Sequence, residues 1–173
     1  PLIEQLVVQQ GLRDRLADIA QNDAFARVEP VALVDDPVPF SETELTVDDV
    51  LLAAEALAAQ GEPFTGIQLG EWMLESTPEN PDALAGQGWL LARSATPDAL
   101  APAEIGLTFL DRALGVEPAH PEALVYRAFV HNFLGDPVSA AADLAAFDDL
   151  DTRPADLRGL ILAFGLRESI GAS

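Results

Sequence analysis

Apolar residues along most of this chain recur three or four positions apart, with polar residues between them. This is the period of an amphipathic α-helix, and no stretch alternates cleanly at the period of two that a β-strand requires. Gly and Pro residues divide the pattern into pairs of helices, because Pro ends one helix and suits the first turn of the next. The predicted helices cover residues 2–21, 47–60, 64–75, 81–93, 103–116, 121–134, 140–150 and 157–169.

A short motif occurs twice, each time at the junction between two predicted helical hairpins. Residues 77–84 read Thr-Pro-Glu-Asn-Pro-Asp-Ala-Leu, and residues 117–124 read Glu-Pro-Ala-His-Pro-Glu-Ala-Leu. A recurring junction indicates a repeat architecture, in which stacked hairpins bury a continuous core. The motif therefore predicts an all-α solenoid of three hairpins whose exposed apolar end is covered by one further helix. Its predicted parts are the repeats 47–80, 81–120 and 121–153 and a capping helix at 154–173.

Residues 1–46 differ from the rest of the chain. A helix-period stripe over residues 2–21 is followed by Pro30, Pro37 and Pro39 among acidic residues, which indicates an extended segment. Thr46 then stands where an N-cap is expected, immediately before acidic residues that favour the first turn of a helix. We therefore predict an N-terminal helix with a Pro-rich acidic segment, followed by a helical domain over 47–173.

The hairpins resemble tetratricopeptide repeats (TPRs), a family of helix–turn–helix units of about 34 residues. The resemblance rests on small residues where two helices approach closely and on Pro at the end of a repeat. The matching residues are Ala54, Gly61, Gly66 and Pro78, then Gly88, Gly106, Ala113 and Pro118, then Ala128, Gly135, Asp136 and Ala140. The resemblance implies a TPR-like α-solenoid of three helical hairpins plus a C-terminal capping helix.

Some residues depart from the TPR pattern. The family often has an aromatic residue at the positions of Gly70 and Leu110, and apolar residues at the positions of Arg127 and His131. The remaining departures are Phe147, where the family prefers Ala, and Thr152, which replaces the terminal Pro.

The charge of the chain narrows its possible partners. The formal net charge is −20, and all nine basic residues are Arg. Such a surface repels phosphate backbones and anionic lipids, so a nucleic acid is not expected as a partner. A basic peptide, a basic protein face or cations would be attracted instead. The alternative interpretation is that the charge serves solubility alone.

No pattern in the sequence indicates catalysis, a cofactor or a metal site. The chain has no Cys, which excludes disulfides, thiolate ligands and Cys nucleophiles. It also has no Gly-rich phosphate loop, no His-x-x-x-His pair and no Gly-x-Ser-x-Gly motif. We expect His120 to be solvated in a turn and His131 to be structural. The acids at 148, 149 and 151 are interpreted as a solvated helix end rather than a Ca²⁺ site.

The TPR resemblance implies a candidate binding site, because the first helix of each TPR hairpin lines a concave groove. The groove positions carried over to this chain are Leu51, Glu55, Ala85, Trp89, Arg93, Val125, Phe129, Asn132, Phe133, Arg158 and Leu162. Aromatic residues and Arg dominate the energetics of protein interfaces. We therefore select as partner-binding candidates Trp89, Arg93, Phe129, Asn132, Phe133 and Arg158.

Two functions follow from this groove. The first is a non-enzymatic interaction module or assembly scaffold that binds a peptide or protein, with no small-molecule substrate. The alternative is a structural or oligomerisation domain whose groove is filled by its own residues 1–46. The carboxylate-clamp mode of TPR proteins requires Lys in the groove, and the absence of Lys argues against it.

A second resemblance concerns location. The Gly-Trp-Leu-Leu run at 88–91 and the Ala-Leu-Val-Tyr-Arg run at 123–127 are similar to repeats of actinobacterial envelope proteins of the cytochrome c biogenesis factor type. This resemblance implies the soluble part of a membrane-anchored assembly factor. Because the chain begins at Pro1 rather than Met, we expect an upstream anchor and an extracytoplasmic position, with a cytoplasmic position as the alternative.

Overall fold

The computed structural model describes residues 46–171, and this part of the chain is all-helical, as the apolar period predicts. It contains eight helices and no strand, with one isolated bridge between Thr96 and Ala99 in a loop. The predicted helix at 2–21 and the Pro-rich segment lie outside the described residues. The helices are α1 Val47–Ala59, α2 Pro63–Ser76, α3 Pro81–Ser94, α4 Ala101–Val116, α5 Pro121–Phe133, α6 Pro137–Asp148, α7 Ala155–Ala163 and α8 Leu166–Gly171.

The helices pack in the order of a solenoid. Helices α1 and α2, α3 and α4, and α5 and α6 form three hairpins, and each hairpin also packs on the next. The first helices contact one another, since α3 touches both α1 and α5, whereas the second helices of the described hairpins have no comparable contacts. The layer of first helices is therefore the closely spaced, concave side of the stack.

Helix starts follow local capping chemistry. Thr46 is the N-cap of α1, as predicted, and forms a capping box with Asp49. Hydrogen bonds from Thr46 lower the pKa of the Asp49 carboxyl. Asn80 caps α3 by accepting a hydrogen bond from the Ala83 N–H at 2.9 Å. In α3 and in α5, the first helical residue after the N-cap is Pro, so the repeated motif encodes the beginning of the second and third hairpins.

The prediction that His120 is solvated is wrong, because His120 occupies the capping position of the second motif and is only 3% exposed. Its Nδ1 accepts a hydrogen bond from the Ala123 N–H at 3.2 Å. The proton of the neutral ring is therefore on Nε2, which lies 2.9 Å from a carboxylate oxygen of Asp82 in the preceding hairpin. The side chain thus caps α5 and joins two repeats.

The predicted boundaries at the C-terminal end also need correction. The single helix expected over 157–169 is two helices, α7 and α8, separated at Gly165, whose φ of +59° is in the left-handed region that Gly favours. Helix α6 begins at Pro137 rather than at Ala140, because Asp136 caps it by accepting a hydrogen bond from the Ser139 N–H at 3.0 Å. Of the acids predicted to be solvated, Asp148 is bonded to Arg167 of α8 at 2.8 Å.

Two of the departures from the TPR pattern, Arg127 and Gly70, have structural explanations. Arg127 lies among three helices and donates hydrogen bonds to Asp143 of α6 at 2.6 and 3.0 Å and to Asp111 of α4 at 2.8 Å. Gly70 leaves space for the Gln87 side chain, whose oxygen lies where a Cβ at position 70 would be. Gln87 is fully buried, and its amide atoms have no hydrogen-bond partner in residues 46–171.

Helices α3 and α4 touch backbone to backbone at Gly88 and Gly106. A Cβ at Gly106 would lie 2.5 Å from the Gly88 carbonyl oxygen, whereas a Cβ at Gly115, in the same helix, would meet nothing within 4 Å. We expect Gly106→Ala to lower the free energy of unfolding by about 1–3 kcal/mol, because the helices must separate.

The matched variant Gly115→Ala should raise the free energy of unfolding by about 0.4–1 kcal/mol, since it only reduces the entropy of the unfolded chain. Urea unfolding of both variants, followed by circular dichroism, measures the difference. Equal effects of the two substitutions would contradict the backbone contact between α3 and α4.

Candidate protein-binding groove

A row of four aromatic rings crosses the concave side of the solenoid. Trp89 of α3 stacks on Tyr126 of α5, with ring centroids 4.6 Å apart and an interplanar angle of 8°. Phe129 lies 5.7 Å from Trp89 and also 5.7 Å from Phe164, which it meets edge to face. Contacts between aromatic rings stabilise the pair in addition to the stabilisation that comes from burying their surface. The row therefore presents a rigid surface that joins α3, α5 and the end of α7.

Four of the six predicted groove residues surround one depression beside this row. Trp89 and Phe129 are half-buried and form its floor, and Phe133 is 43% exposed at its edge. The Arg93 guanidinium lies 5.9 Å from the centroid of the Trp89 ring, within the range of a cation–π interaction. We define the aromatic pocket by its lining residues Trp89, Ala92, Arg93, Ala95, Phe129, Val130 and Phe133.

The structure places the other two candidates outside the aromatic pocket. The Asn132 amide donates a hydrogen bond to the Ser169 hydroxyl at 3.1 Å, because α8 turns back towards α5 after Gly165. Arg158 lines a separate depression near Asp148 and Arg167. The binding roles of all six residues stay predictions, but only four of them share one surface.

A second depression adjoins the first on the side of α1, and its lining is rich in carboxylates. We define the acidic pocket by its lining residues Asp48, Leu51, Glu55, Asp82, Ala85, Gly86, Leu90, His120, Glu122 and Tyr126. Tyr126 borders both pockets, since its ring also stacks on Trp89. The two pockets are therefore neighbouring parts of one groove formed by α1, α3 and α5.

The electrostatic field in this groove acts on the Tyr126 hydroxyl. Burial raises the pKa of Tyr126 above its usual range, and the charges of nearby carboxylates raise it further. These carboxylates belong to Glu55, Glu122 and Asp156, and the positive charge of Arg93 partly offsets them. The acidic pocket is thus lined by carboxylates whose charges reach Tyr126, whereas the lining of the aromatic pocket contains Arg93 and no carboxylate.

Sequence reasoning named Leu51, Glu55 and Ala85 as groove positions, but it missed Tyr126 and the acidic pocket that these residues line. One signal was present, because both copies of the repeated motif carry an acid directly after the second Pro, Asp82 in one and Glu122 in the other. In the sequence, these acids were identified only as members of the repeated junction motif. Their shared position in the repeat also places both of them on the concave side, which the motif by itself did not indicate.

The chemistry of the groove is that of a binding surface. It offers exposed rings for apolar contact, one guanidinium and several carboxylates. In residues 46–171, no group of three or more His, Asp or Glu side chains is arranged to hold a metal ion. The groove can therefore bury apolar side chains and pair with charged ones.

Comparison with solved structures identifies the fold. The chain is similar to the crystal structure of a thermophilic TPR protein from Thermus thermophilus, with a TM-score of 0.58 and 21% sequence identity. The similarity covers 76% of this chain and 72% of that one. No protein-family model and no curated protein matches the sequence. The fold is thus a TPR-like α-solenoid, as predicted, whereas the resemblance to the cytochrome c biogenesis type has no support.

Proposed function

We propose that this TPR-like solenoid is a non-enzymatic interaction module that binds an extended segment of another protein in the groove of α1, α3 and α5. The observation that carries the proposal is the aromatic pocket, where Phe133 is 43% exposed beside the half-buried rings of Trp89 and Phe129. Clustered, partly exposed aromatic rings on a strongly charged protein indicate an interaction site, because a partner that buries their apolar surface gains binding free energy.

The rigidity of the pocket favours tight binding. Trp89 is held between Tyr126 and Phe129, and Arg93 lies over its ring, so the pocket loses little conformational freedom when a partner binds. Preorganised aromatic residues are the usual energetic centres of interfaces. An apolar side chain of the partner would contact Phe129 and Phe133.

The test is a selection of random dodecapeptides, displayed on phage, against the complete chain. Enriched peptides are synthesised and their affinities measured by fluorescence anisotropy. We expect Phe133→Ser to lower the affinity of these peptides by about tenfold or more, which corresponds to a loss of about 1.4 kcal/mol in the free energy of binding. Phe64→Ser is the matched control, because Phe64 is 79% exposed on α2, outside both pockets.

Three results would contradict the proposal. One is that no peptide is enriched. Another is that the enriched peptides bind the Phe133 and Phe64 variants equally well. The third is a dimer that dissociates on Phe133→Ser, since the groove would then be occupied by a second copy of the chain. Sedimentation velocity of the wild-type chain and both variants distinguishes the last case.

The hypothesis of a membrane-anchored assembly factor stays a prediction. It depends on a resemblance in sequence style, and the comparisons lend it no support. Among residues 46–171, no helix is both long and apolar enough to cross a membrane.

A further inference from the structure

The groove pairs an apolar half with a negative half, and this combination specifies the chemistry of its occupant. We infer that the bound segment carries a cationic side chain, preferably Arg, close to its apolar anchor. The cation lies in the acidic pocket while the anchor occupies the aromatic pocket. The inference rests on the proposed function and adds the class of partner, a basic and apolar segment of another protein.

The first argument is continuity. Tyr126 lines the acidic pocket and stacks at 4.6 Å on Trp89, which lines the aromatic pocket. The stacked pair is therefore the wall between the two pockets. A short extended segment that passes over this wall places neighbouring side chains in both pockets.

The second argument is the number and origin of the negative charges. The acidic pocket collects carboxylates from all three hairpins, namely Asp48 and Glu55 from α1, Asp82 from α3 and Glu122 from α5. Concave sites lined by one sign of charge concentrate their field and attract ligands of the opposite sign. Because these residues are remote in sequence, the solenoid alone brings them together around an apolar groove.

The third argument concerns how far residues 46–171 neutralise these charges themselves. No Arg in the described residues forms a salt bridge with any of the four carboxylates. Among the described residues, His120 is a basic side chain beside them, with its Nε2 2.9 Å from Asp82 and its Nδ1 3.5 Å from Glu122. Its Nδ1 also accepts the capping hydrogen bond from the Ala123 N–H. Residues 46–171 therefore leave the carboxylates of the acidic pocket without an Arg partner, and their charge is open to a cationic ligand.

Charge complementarity decides among possible occupants. An acidic segment, a phosphorylated segment or a chain terminus with a free carboxylate would be repelled by the acidic pocket. Arg suits the pocket better than Lys, because its planar guanidinium binds carboxylates in a bidentate manner and stacks on aromatic faces such as that of Tyr126. The upward shift in the pKa of Tyr126, caused in part by Glu55 and Glu122, agrees with a field that favours a cation.

The experiment uses the dodecapeptides enriched by the complete chain, each compared with a version in which every Arg and Lys is replaced by Gln. We expect enriched peptides to contain Arg or Lys near an aromatic or aliphatic residue. The Gln versions should bind the wild-type chain about tenfold more weakly. Raising the salt concentration should lower the affinity of the cationic peptides and leave the affinity of the Gln versions nearly unchanged.

Matched double variants locate the effect. Glu55→Gln with Glu122→Gln should weaken the cationic peptides by about tenfold without changing the affinity of the Gln versions. The control is Glu71→Gln with Glu75→Gln, which removes the same charge from exposed positions on α2 outside both pockets.

The outcomes separate this inference from the proposed function. If enriched peptides lack cationic residues, or their Gln versions bind equally well, the groove binds peptides but the inference is wrong. A further contradicting result is that the Glu71 and Glu75 control lowers the affinity of cationic peptides as much as the groove variant does. General attraction to an acidic protein would then explain the binding, and the inference would again be wrong. If no peptide is enriched, both proposals fail.

Discussion

Replacing Arg127 by Met is expected to destabilise the domain by about 3 kcal/mol, although neither proposed pocket includes Arg127. The guanidinium forms two hydrogen bonds to Asp143, at 2.6 and 3.0 Å, and a third to Asp111 at 2.8 Å. The Asp143 side chain is only 6% exposed, so Arg127→Met leaves a buried carboxylate without its main partner. The value is at the lower end of the range for buried pairs because the Arg127 side chain is 24% exposed.

A second substitution tests this explanation. When Asp143 is replaced by Leu together with Arg127→Met, no uncompensated charge remains, and much of the lost stability should return. Asp111, which is 56% exposed, stays solvated in both variants. Urea unfolding of the two single variants and the double variant gives the coupling energy directly. If the loss in the free energy of unfolding of the double variant equals the sum of the losses of the two single variants, the ion pair does not explain the effect.

Phe147→Ala should have the largest effect on stability in this domain, a loss of about 3–5 kcal/mol. Phe147 is the largest fully buried side chain in the described residues, and it belongs to the core that includes Leu157, Ile161 and Leu166 of the two terminal helices. Its removal would leave a cavity in the core that α6 shares with the two terminal helices. The usual Ala of a TPR at this position would not fill that space.

Phe64→Ala is the matched control, because the same atoms are removed from a side chain that is 79% exposed. We expect its effect to remain within about 0.5 kcal/mol. Thermal unfolding followed by circular dichroism measures both variants. If Phe147→Ala unfolds at nearly the wild-type temperature, Phe147 does not fill the junction between the last repeat and the terminal helices.

The sequence alone predicted the features that depend on local chemistry or on the repeat. Pro81 and Pro121 begin helices because Pro suits the first turn, and Thr46 caps α1 because its hydroxyl reaches the N–H of Asp49. The resemblance to TPRs then implied a set of groove positions, whose binding roles stay predictions. Trp89 and Phe129 share one surface because they occupy equivalent positions in neighbouring hairpins.

The tertiary structure decided what depends on residues that are distant in the chain. His120 is buried because Asp82, in another hairpin, meets its Nε2, and no local pattern contains that partner. Gly165 separates two helices rather than continuing one, since α8 packs back against α5 and α6. The acidic pocket exists because three hairpins bring Glu55, Asp82 and Glu122 together. Local sequence determines where helices begin, whereas convergence of side chains across helices requires the packed solenoid.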